Sequence, residues 1–434
     1  MNDIYTVAML GDSHVKMGNR WDETWRLHDW FAADCRRRGV DLVCHTGDLF
    51  HTGSTPDERN RVIPWLTGIA ESSPVVMVRG NHDCEGDLAV FGKLRSKHPI
   101  IVEEGCGVHR VVHGRGEDGQ PLRAGVHAGV AALAWPRKAE MIARIDRQAG
   151  SVVSIEDTGV LAREGLQNVL RGLGVGLSQT DGPRILIMHA MVRGSVTSTG
   201  QPLVGCDMEI CLEDLSLCDA DFIGLGHIHK AQEWSMSIEG RAVPIVYTGS
   251  PRRTAYGEAE DKGYVLVTFE RGDASASGRR WRMAKWERVL MPAQRMILVE
   301  DEWGFDPDAP AETPGWLVGM HGLGSTAEMS GADVRLRYTV NADQRDAARR
   351  AIPAMEAHLR AEGVAVLKVE EVLRPTTRAR APEVAAALTL PEKLKQTWKA
   401  RGITHTPERE LRLLDLIVEL EREVAQKPEV ESAL

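Results

Sequence analysis

The strongest constraint on this chain is a repeated pattern that runs through about residue 290. Short apolar runs alternate with amphipathic segments, which is typical of α/β domains. The apolar runs predict buried strands at Ile4–Leu10, Val40–Cys44, Pro74–Val78, Arg184–Met188, Asp221–Leu225 and Pro244–Tyr247. The pattern therefore predicts an α/β fold for most of the chain.

Two of the segments between strands carry helix signals. Apolar side chains recur along one face of Glu23–Arg38, and Gly39 is placed to end that helix. A second helix is expected to begin after Thr55, because Pro56 follows directly and Glu58 stands three positions on.

Five short polar motifs each follow a strand-like run. Because the strands of an open α/β sheet deliver their carboxyl ends to one edge, we expect the motifs to converge on a single crevice. Each motif alone is common by chance, but all five in this order indicate a functional site. They are Asp12-Ser13-His14, Gly47-Asp48, Gly80-Asn81-His82-Asp83, His189 and Gly226-His227-Ile228-His229.

The residue types in these motifs indicate bound divalent cations. Two of the Asp residues, the Asn and four of the His residues offer oxygen and nitrogen donors without a thiolate, which suits manganese or iron better than structural zinc. Asp48 stands between the other motifs and can bridge two cations with its two oxygens. A pair of cations about 3.5–4 Å apart activates a bound water and clamps both oxygens of a phosphoryl displacement.

Composition limits the protein class but not the substrate. The 434 residues carry a net charge of −9, so phosphate binding would depend on local basic patches. No apolar stretch approaches the roughly 20 residues of a membrane span, and the N-terminus lacks signal-peptide features. Seven cysteines without a C-x-x-C pair favour a reducing cytoplasm.

The pattern changes after residue 300. Residues 301–333 are acidic and rich in Gly and Pro, which predicts loops. Val334–Val340, Asp343–Glu362 and Val364–Leu373 then predict a small β-α-β unit. The end of the chain is charged and helical, and its apolar face either packs on the chain itself or binds a partner. That face comprises Leu413, Leu416, Ile417, Leu420 and Val424.

The five motifs in this order resemble those of the calcineurin-like metallophosphoesterase superfamily. Within it, three stretches are similar to the SbcD-type nuclease subunits of DNA repair. They are His45–Gly53, Phe222–Lys230, and Tyr247–Pro251 with the later Lys262-Gly263. The likeness covers about residues 4 to 270 and is weaker beyond them.

This resemblance implies a fold and a set of partners. The fold would be a β-sandwich flanked by helices, with a small α+β capping domain and a helical C-terminal tail. The implied domains are a nuclease domain over 1–290, a capping domain over 291–376 and a helical segment over 377–434. The helical segment would dock on an SbcC-like ABC-type ATPase, and the protein would form a homodimer without membrane contact.

The resemblance also implies roles for the motif residues. Two manganese ions, or magnesium ions, would be held by two ligand sets that share one carboxylate. His82 would act catalytically on the leaving group, Asp83 would orient His82, and His51 would influence how DNA ends enter the site. The two ligand sets are Asp12, His14, Asp48 and His229, and Asp48, Asn81, His189 and His227.

The implied function is metal-dependent exonuclease or endonuclease cleavage of DNA during double-strand-break or end processing, in the cytoplasm at the nucleoid. Two alternatives stay open. A related phosphoesterase acting on small molecules or nucleotides would share every ligand, and a scaffold would bind DNA and the ATPase without cutting. The other histidines, including His28 and His45, are expected to be structural.

Overall fold

The computed structural model describes residues 4–112, 127–142, 158–198, 208–273, 279–303, 329–374 and 389–426. Its strands are β1 (Ile4–Leu10), β2 (Leu42–His45), β3 (Val75–Val78), β4 (Ile100–Glu103), β5 (Cys106–Val112), β6 (His127–Leu133), β7 (Arg184–His189), β8 (Met191–Val192), β9 (Glu209–Ile210), β10 (Phe222–Gly226), β11 (Gln232–Ile238), β12 (Arg241–Tyr247), β13 (Gly263–Arg271), β14 (Trp281–Leu290), β15 (Met296–Glu302), β16 (Asp333–Val340) and β17 (Val366–Leu373). Its α-helices are α1 (Trp21–Arg38), α2 (Pro56–Ala70), α3 (Thr158–Ser178), α4 (Leu212–Leu215), α5 (Arg345–Ala361), α6 (Leu390–Ala400) and α7 (Pro407–Gln426).

Two six-stranded sheets form the main body. The first has the order β14-β13-β1-β2-β3-β4, and the second has the order β11-β12-β10-β7-β6-β5. The strands from β1 to β4 run parallel, as do β6, β7, β10 and β12. The predicted α/β class is confirmed, and each of the six predicted strands is present.

Alternating side chains of each central strand serve two hydrophobic cores. In β1, Val7 and Met9 belong to the cluster between the two sheets. Ala8 and Leu10 belong to the cluster that contains the apolar faces of α1 and α2. β7 alternates in the same way between the shared core and the cluster that contains α3. Both faces of these central strands are therefore covered, which explains why they are mostly apolar along their length.

The layered arrangement corrects one expectation. The site motifs were expected at the edge of a single open sheet, but β1, β2 and β3 lie in one sheet and β7 and β10 in the other. The β-sandwich flanked by helices is therefore the correct description. The motifs still meet, because the two packed sheets present the carboxyl ends of these strands at the same rim.

The helix ends match their sequence signals. α1 ends at Gly39, whose φ of 65° is left-handed and favours glycine. α2 begins with a capping box, in which the Thr55 hydroxyl accepts from the Glu58 amide and the Glu58 carboxylate accepts from the Thr55 amide. Both predicted helices are confirmed.

A three-stranded sheet, β15-β16-β17, follows the main body, and α5 connects β16 to β17. The predicted β-α-β unit is therefore present, while most of the predicted loop segment lies outside the described residues. The described residues form two compact units, one within Met1–Tyr338 and Ala347–Glu370 and one within Thr339–Asp346 and Glu371–Leu434. The domain boundaries at 290 and 376 stay a prediction. None of the helices that the structure describes is long and apolar enough to cross a membrane.

Candidate metal centre

The predicted ligands gather at one rim of the sandwich. Asp12, Asp48 and Asn81 follow β1, β2 and β3 of the first sheet, and His189 and His227 lie at the ends of β7 and β10 in the second. The Asp12 amide donates to the Gly47 carbonyl, and the His227 amide donates to Asp12 Oδ1 over 2.9 Å. The second of these bonds joins the two sheets at the site.

One group of donors forms around His14. Asp12, His14 and His229 each offer a ligand atom, and these atoms lie within 4.8 Å of one another. The Nε2 atoms of His14 and His229 are 2.9 Å apart. Two imidazole nitrogens and a carboxylate that converge in this way form a suitable set for a divalent cation.

Asp48 connects this group to a second one. Its Oδ2 lies 3.6 Å from His14 Nε2 and 3.4 Å from His189 Nε2. Asp12, Asp48 and His189 also form a group with ligand atoms within 4.8 Å. The Asp48 oxygen therefore stands between the two histidine nitrogens, which is the position that a bridging carboxylate needs.

Asn81 and His227 complete the second group. The Asn81 Oδ1 lies 2.9 Å from His189 Nε2 and 3.0 Å from His227 Nδ1. On its other side, His189 Nδ1 donates to the Thr46 carbonyl over 2.9 Å. That bond fixes the tautomer, so that in the neutral ring Nε2 keeps its lone pair for a ligand. All seven predicted ligands lie together, while their coordination of metal stays a prediction.

The site has the features of a cation cradle. Asp12 is fully buried, and its Oδ2 makes no hydrogen bond within the described part of the chain. Burial of this kind raises the pKa of Asp12 and is unfavourable without a compensating positive charge. Burial lowers the pKa of His189, but the charge of Asp48 outweighs it and raises the value to about 9. A proton at His189 thus supplies positive charge where a cation would bind.

The backbone at the site is strained. Asp12, His14, Asp48 and His227 have φ angles of 50°, 45°, 52° and 107°, in the region that favours glycine. Such conformations cost of order 1–3 kcal/mol each and persist where the surroundings enforce them. Four of the seven predicted ligands are therefore held in place at the expense of local stability.

The three residues with predicted catalytic roles lie beside the ligands. His82 is exposed, and its Nδ1 donates to the His51 carbonyl over 2.9 Å, so that in the neutral ring Nε2 keeps its lone pair. The rings of His51 and His82 stack with centroids 5.5 Å apart, and His51 Nδ1 lies 3.4 Å from His14 Nδ1. These positions fit the predicted roles of His82 and His51.

Asp83 was expected to orient His82, but its carboxylate binds backbone amides instead of the His82 ring. Its buried carboxylate accepts from the amides of Leu49, Phe50 and Gly80 over 3.3, 2.8 and 2.9 Å. Burial raises the pKa of Asp83 to about 6. Its influence on His82 therefore passes through the two loops that carry Asp48 and Asn81, while the His51 carbonyl contacts the ring.

The histidines that were expected to be structural form a buried chain. Ser13 Oγ lies 2.9 Å from His45 Nε2 and 2.9 Å from His28 Nε2. His28 Nδ1 donates to the Thr24 carbonyl over 2.7 Å, and the Gly47 amide donates to His45 Nδ1 over 3.3 Å. These bonds give both neutral rings a single consistent tautomer. The chain connects the Asp48 loop to α1.

The buried histidines make stability depend on pH. Burial lowers the pKa of His28 to about 4 and that of His45 to about 3. The unfolded chain takes up protons near its ordinary value of about 6.5, so stability falls as the pH decreases from about 6.5 toward 4. We expect His28→Gln to remove about 2–3 kcal/mol of this loss at about pH 4.5. Urea unfolding of the wild type and the variant in chelator, at several pH values, tests this prediction. An identical dependence of the unfolding free energy on pH in the two proteins would contradict it.

Two residues of the site escaped the sequence argument. Trp135 follows β6 and packs on the predicted ligands His189 and His227, with ring centroids 5.7 and 4.6 Å away. Thr46, whose carbonyl orients His189, precedes a predicted motif. The apolar run before Trp135 could have identified it, because Trp135 follows a strand in the same way as the five motifs follow theirs.

Comparison with known proteins gives a family match over half of the chain. The model of the calcineurin-like phosphoesterase family matches residues 5–231, a range that contains all seven predicted ligands. The uncharacterized metallophosphoesterase YhaO of Bacillus subtilis (strain 168) is 37% identical over 79 residues. That alignment spans 18% of this chain and 18% of YhaO.

Solved structures show more distant likeness. The GAP50 anchor of the inner membrane complex of Plasmodium aligns with 68% of this chain and 91% of its own, at 12% identity and a TM-score of 0.39. A dimetal phosphatase from Danio rerio aligns with 66% of this chain and 98% of its own, at 10% identity and a TM-score of 0.35.

Proposed function

Because the chain belongs to the calcineurin-like phosphoesterase family, we propose that it hydrolyses phosphodiester bonds of DNA with two divalent cations. The observation that carries the proposal is Asp48, whose Oδ2 stands between His14 Nε2 and His189 Nε2. Asp12 Oδ2 beside them is buried and has no hydrogen-bond partner among the described residues, which supports a cation at this position. Manganese is the proposed ion, and magnesium is the alternative.

The donor set fits two such cations. When bound, the pair would polarise the phosphate and supply a hydroxide nucleophile at neutral pH. Asp12, His14, Asp48 and His229 would hold one cation, and Asp48, Asn81, His189 and His227 would hold the other, so that Asp48 is shared. No protein nucleophile is required, because this hydroxide would take that role.

His82 is proposed to act on the leaving group. Its Nδ1 is occupied by the His51 carbonyl, so Nε2 can hold or donate a proton toward an oxygen at the site. The exposure of His82 allows direct contact with a substrate, unlike the buried Asp48. His51 stacks on it and is proposed to guide the DNA end.

The C-terminal helices are proposed to bind an SbcC-like ABC-type ATPase. α7 exposes Leu411, Leu416 and Val418, with relative exposures of 64%, 45% and 37%. Its predicted apolar face includes Leu416, while the side chains of Leu420 and Val424 lie outside the described residues. Leu411 and Val418 are seven positions apart and therefore share one face of the helix, which supports a helix-in-groove contact. Dimerisation, as in SbcD-type proteins, belongs to the same proposal.

A substrate panel tests the nuclease assignment. Linear duplex DNA, hairpin DNA, cyclic nucleotides and bis(p-nitrophenyl) phosphate are incubated with the full chain and Mn²⁺, with chelator as the control. We expect cleavage of both DNA substrates, abolished by chelator. His51→Ala should reduce DNA cleavage more than hydrolysis of the nitrophenyl ester, because the ester has no DNA end to guide.

The second candidate is a phosphodiesterase for small molecules or nucleotides. A groove of about 320 Å³ beside the predicted ligands favours it, because its mainly apolar wall could hold one organic group next to the cations. The groove is lined by Thr197, Ser198, His227, Ile228, His229, Ala255, Gly257 and Glu258. Turnover of cyclic or nitrophenyl esters without DNA cleavage would select this candidate over the nuclease.

A further inference from the structure

Behind His229 lies a chain of polar side chains contributed by the segment after β12. His229 Nδ1 is 3.1 Å from Thr254 Oγ1, and the Thr254 hydroxyl contacts the Glu258 carboxylate. The Thr254 amide also donates to the same carboxylate oxygen over 3.2 Å. Glu258 is 5% exposed, so its carboxylate is effectively removed from water.

The chemistry of these groups allows one direction of hydrogen bonding. An ionised carboxylate only accepts, so the single hydroxyl proton of Thr254 points to Glu258. The Thr254 oxygen must then accept from His229 Nδ1–H. In that tautomer the Nε2 of a neutral His229 has a free lone pair, and this is the atom that faces His14 Nε2.

Lys262 keeps the Glu258 carboxylate ionised and in place. Its Nζ lies 2.5 Å from Glu258 Oε2 and 2.8 Å from Glu260 Oε1, and it donates to the His229 carbonyl over 3.2 Å. The Lys262 side chain is fully buried. The positive charge of Lys262 at this distance favours the ionised form of Glu258. The ammonium thus joins the backbone of His229 to the carboxylate behind its ring.

His189 and His229, one from each predicted ligand set, are therefore held in different ways. His189 donates to a backbone carbonyl, that of Thr46, whereas His229 donates to a side chain that depends on Glu258. A side-chain support can be altered without changing the main-chain path. The cation position near His14 and His229 is accordingly the one that this support can affect.

We propose that Glu258, acting through Thr254, is a positioning residue that fixes the orientation and tautomer of His229 and so sets the affinity of one of the two cations. This inference rests on the two-cation site proposed above. It assigns a function to the segment after Pro251, which does not itself contribute a proposed metal ligand. Residues behind metal ligands typically change metal affinity by 10–100-fold when they are replaced.

The test is a calorimetric Mn²⁺ titration of the full chain and two matched variants. Thr254→Val keeps the shape of the side chain but removes the hydroxyl, and Thr254→Ser keeps the hydroxyl. We expect the wild-type chain to bind two cations, and Thr254→Val to weaken one binding step by about 10–100-fold while leaving the other unchanged. Thr254→Ser should stay within about threefold of the wild type at both steps.

Other results would overturn the proposal. Unchanged affinities in Thr254→Val would show that the hydroxyl does not position His229. Equal weakening of both steps, together with a lower melting temperature in chelator, would indicate a general structural role instead. Wild-type binding of two cations without DNA cleavage would refute the nuclease proposal and leave this one standing. Binding of fewer than two cations by the wild type would refute this inference as well, because the inference assumes a two-cation site.

Discussion

Asp48→Asn is expected to lower phosphodiester hydrolysis by more than about 100-fold, because replacements behind a ligand already cost 10–100-fold. Asp48 Oδ1 accepts from the His82 amide over 2.8 Å, and Oδ2 faces His14 and His189. An asparagine that keeps the first contact must turn its NH₂ group toward the two histidine nitrogens. The variant would then lose the bridging charge and place a donor where a cation should bind.

The loss should be specific to metal binding. Asp48→Asn has nearly the same volume as the wild type, so in chelator we expect the variant to remain folded and to unfold cooperatively. Adding Mn²⁺ should stabilise the wild-type chain by about 3 kcal/mol at a hundredfold excess over Kd, and should stabilise the variant much less. Wild-type activity in the variant would contradict the proposed bridging function of Asp48.

Gly47→Ala is the second substitution with a large expected effect. Gly47 has a φ of +103°, and an added Cβ would lie 2.3 Å from His189 Nδ1 and 2.9 Å from His189 Cβ. The methyl group occupies the side of the ring that donates to the Thr46 carbonyl. We expect a loss of about 2–5 kcal/mol in unfolding free energy from backbone strain and overpacking, together with impaired Mn²⁺ binding.

Gly39→Ala is the matched control. Gly39 also has a positive φ, of +65°, but an added Cβ there would meet nothing within 4 Å. It should cost about 1–2 kcal/mol from backbone conformation alone and leave Mn²⁺ binding unchanged. Urea unfolding and Mn²⁺ titration compare the two variants. Equal losses of unfolding free energy and of Mn²⁺ binding in the two variants would show that contact with His189 does not cause the effect of Gly47→Ala.

The sequence predicted those parts of the fold that depend on local pattern. β1 and the helices beginning at Trp21 and Pro56 have strong signals, since burial on both faces makes the strands uniformly apolar and the helix ends have defined caps. The seven ligands were identifiable because each follows such a strand. Both the strands and the polar residues that follow them can be read from the sequence without any tertiary contact.

Other features depend on contacts that no local pattern encodes. Which of the two sheets each strand joins is decided by packing between distant segments, so a single open sheet was expected. β6 was missed because His127–Leu133 is rich in Ala and Gly, which have low strand propensity, and Trp135 was missed with it. Thr254 and Glu258 escaped notice because they act on His229 from 25 and 29 positions along the chain.

The most direct test of the account is a crystal structure of the full chain grown with Mn²⁺, with data collected at the manganese absorption edge. We expect two anomalous peaks about 3.5–4 Å apart, one on either side of the Asp48 carboxylate. One peak should contact His14 and His229, and the other should contact Asn81, His189 and His227. A single peak, or two peaks that do not touch Asp48, would contradict the proposed centre.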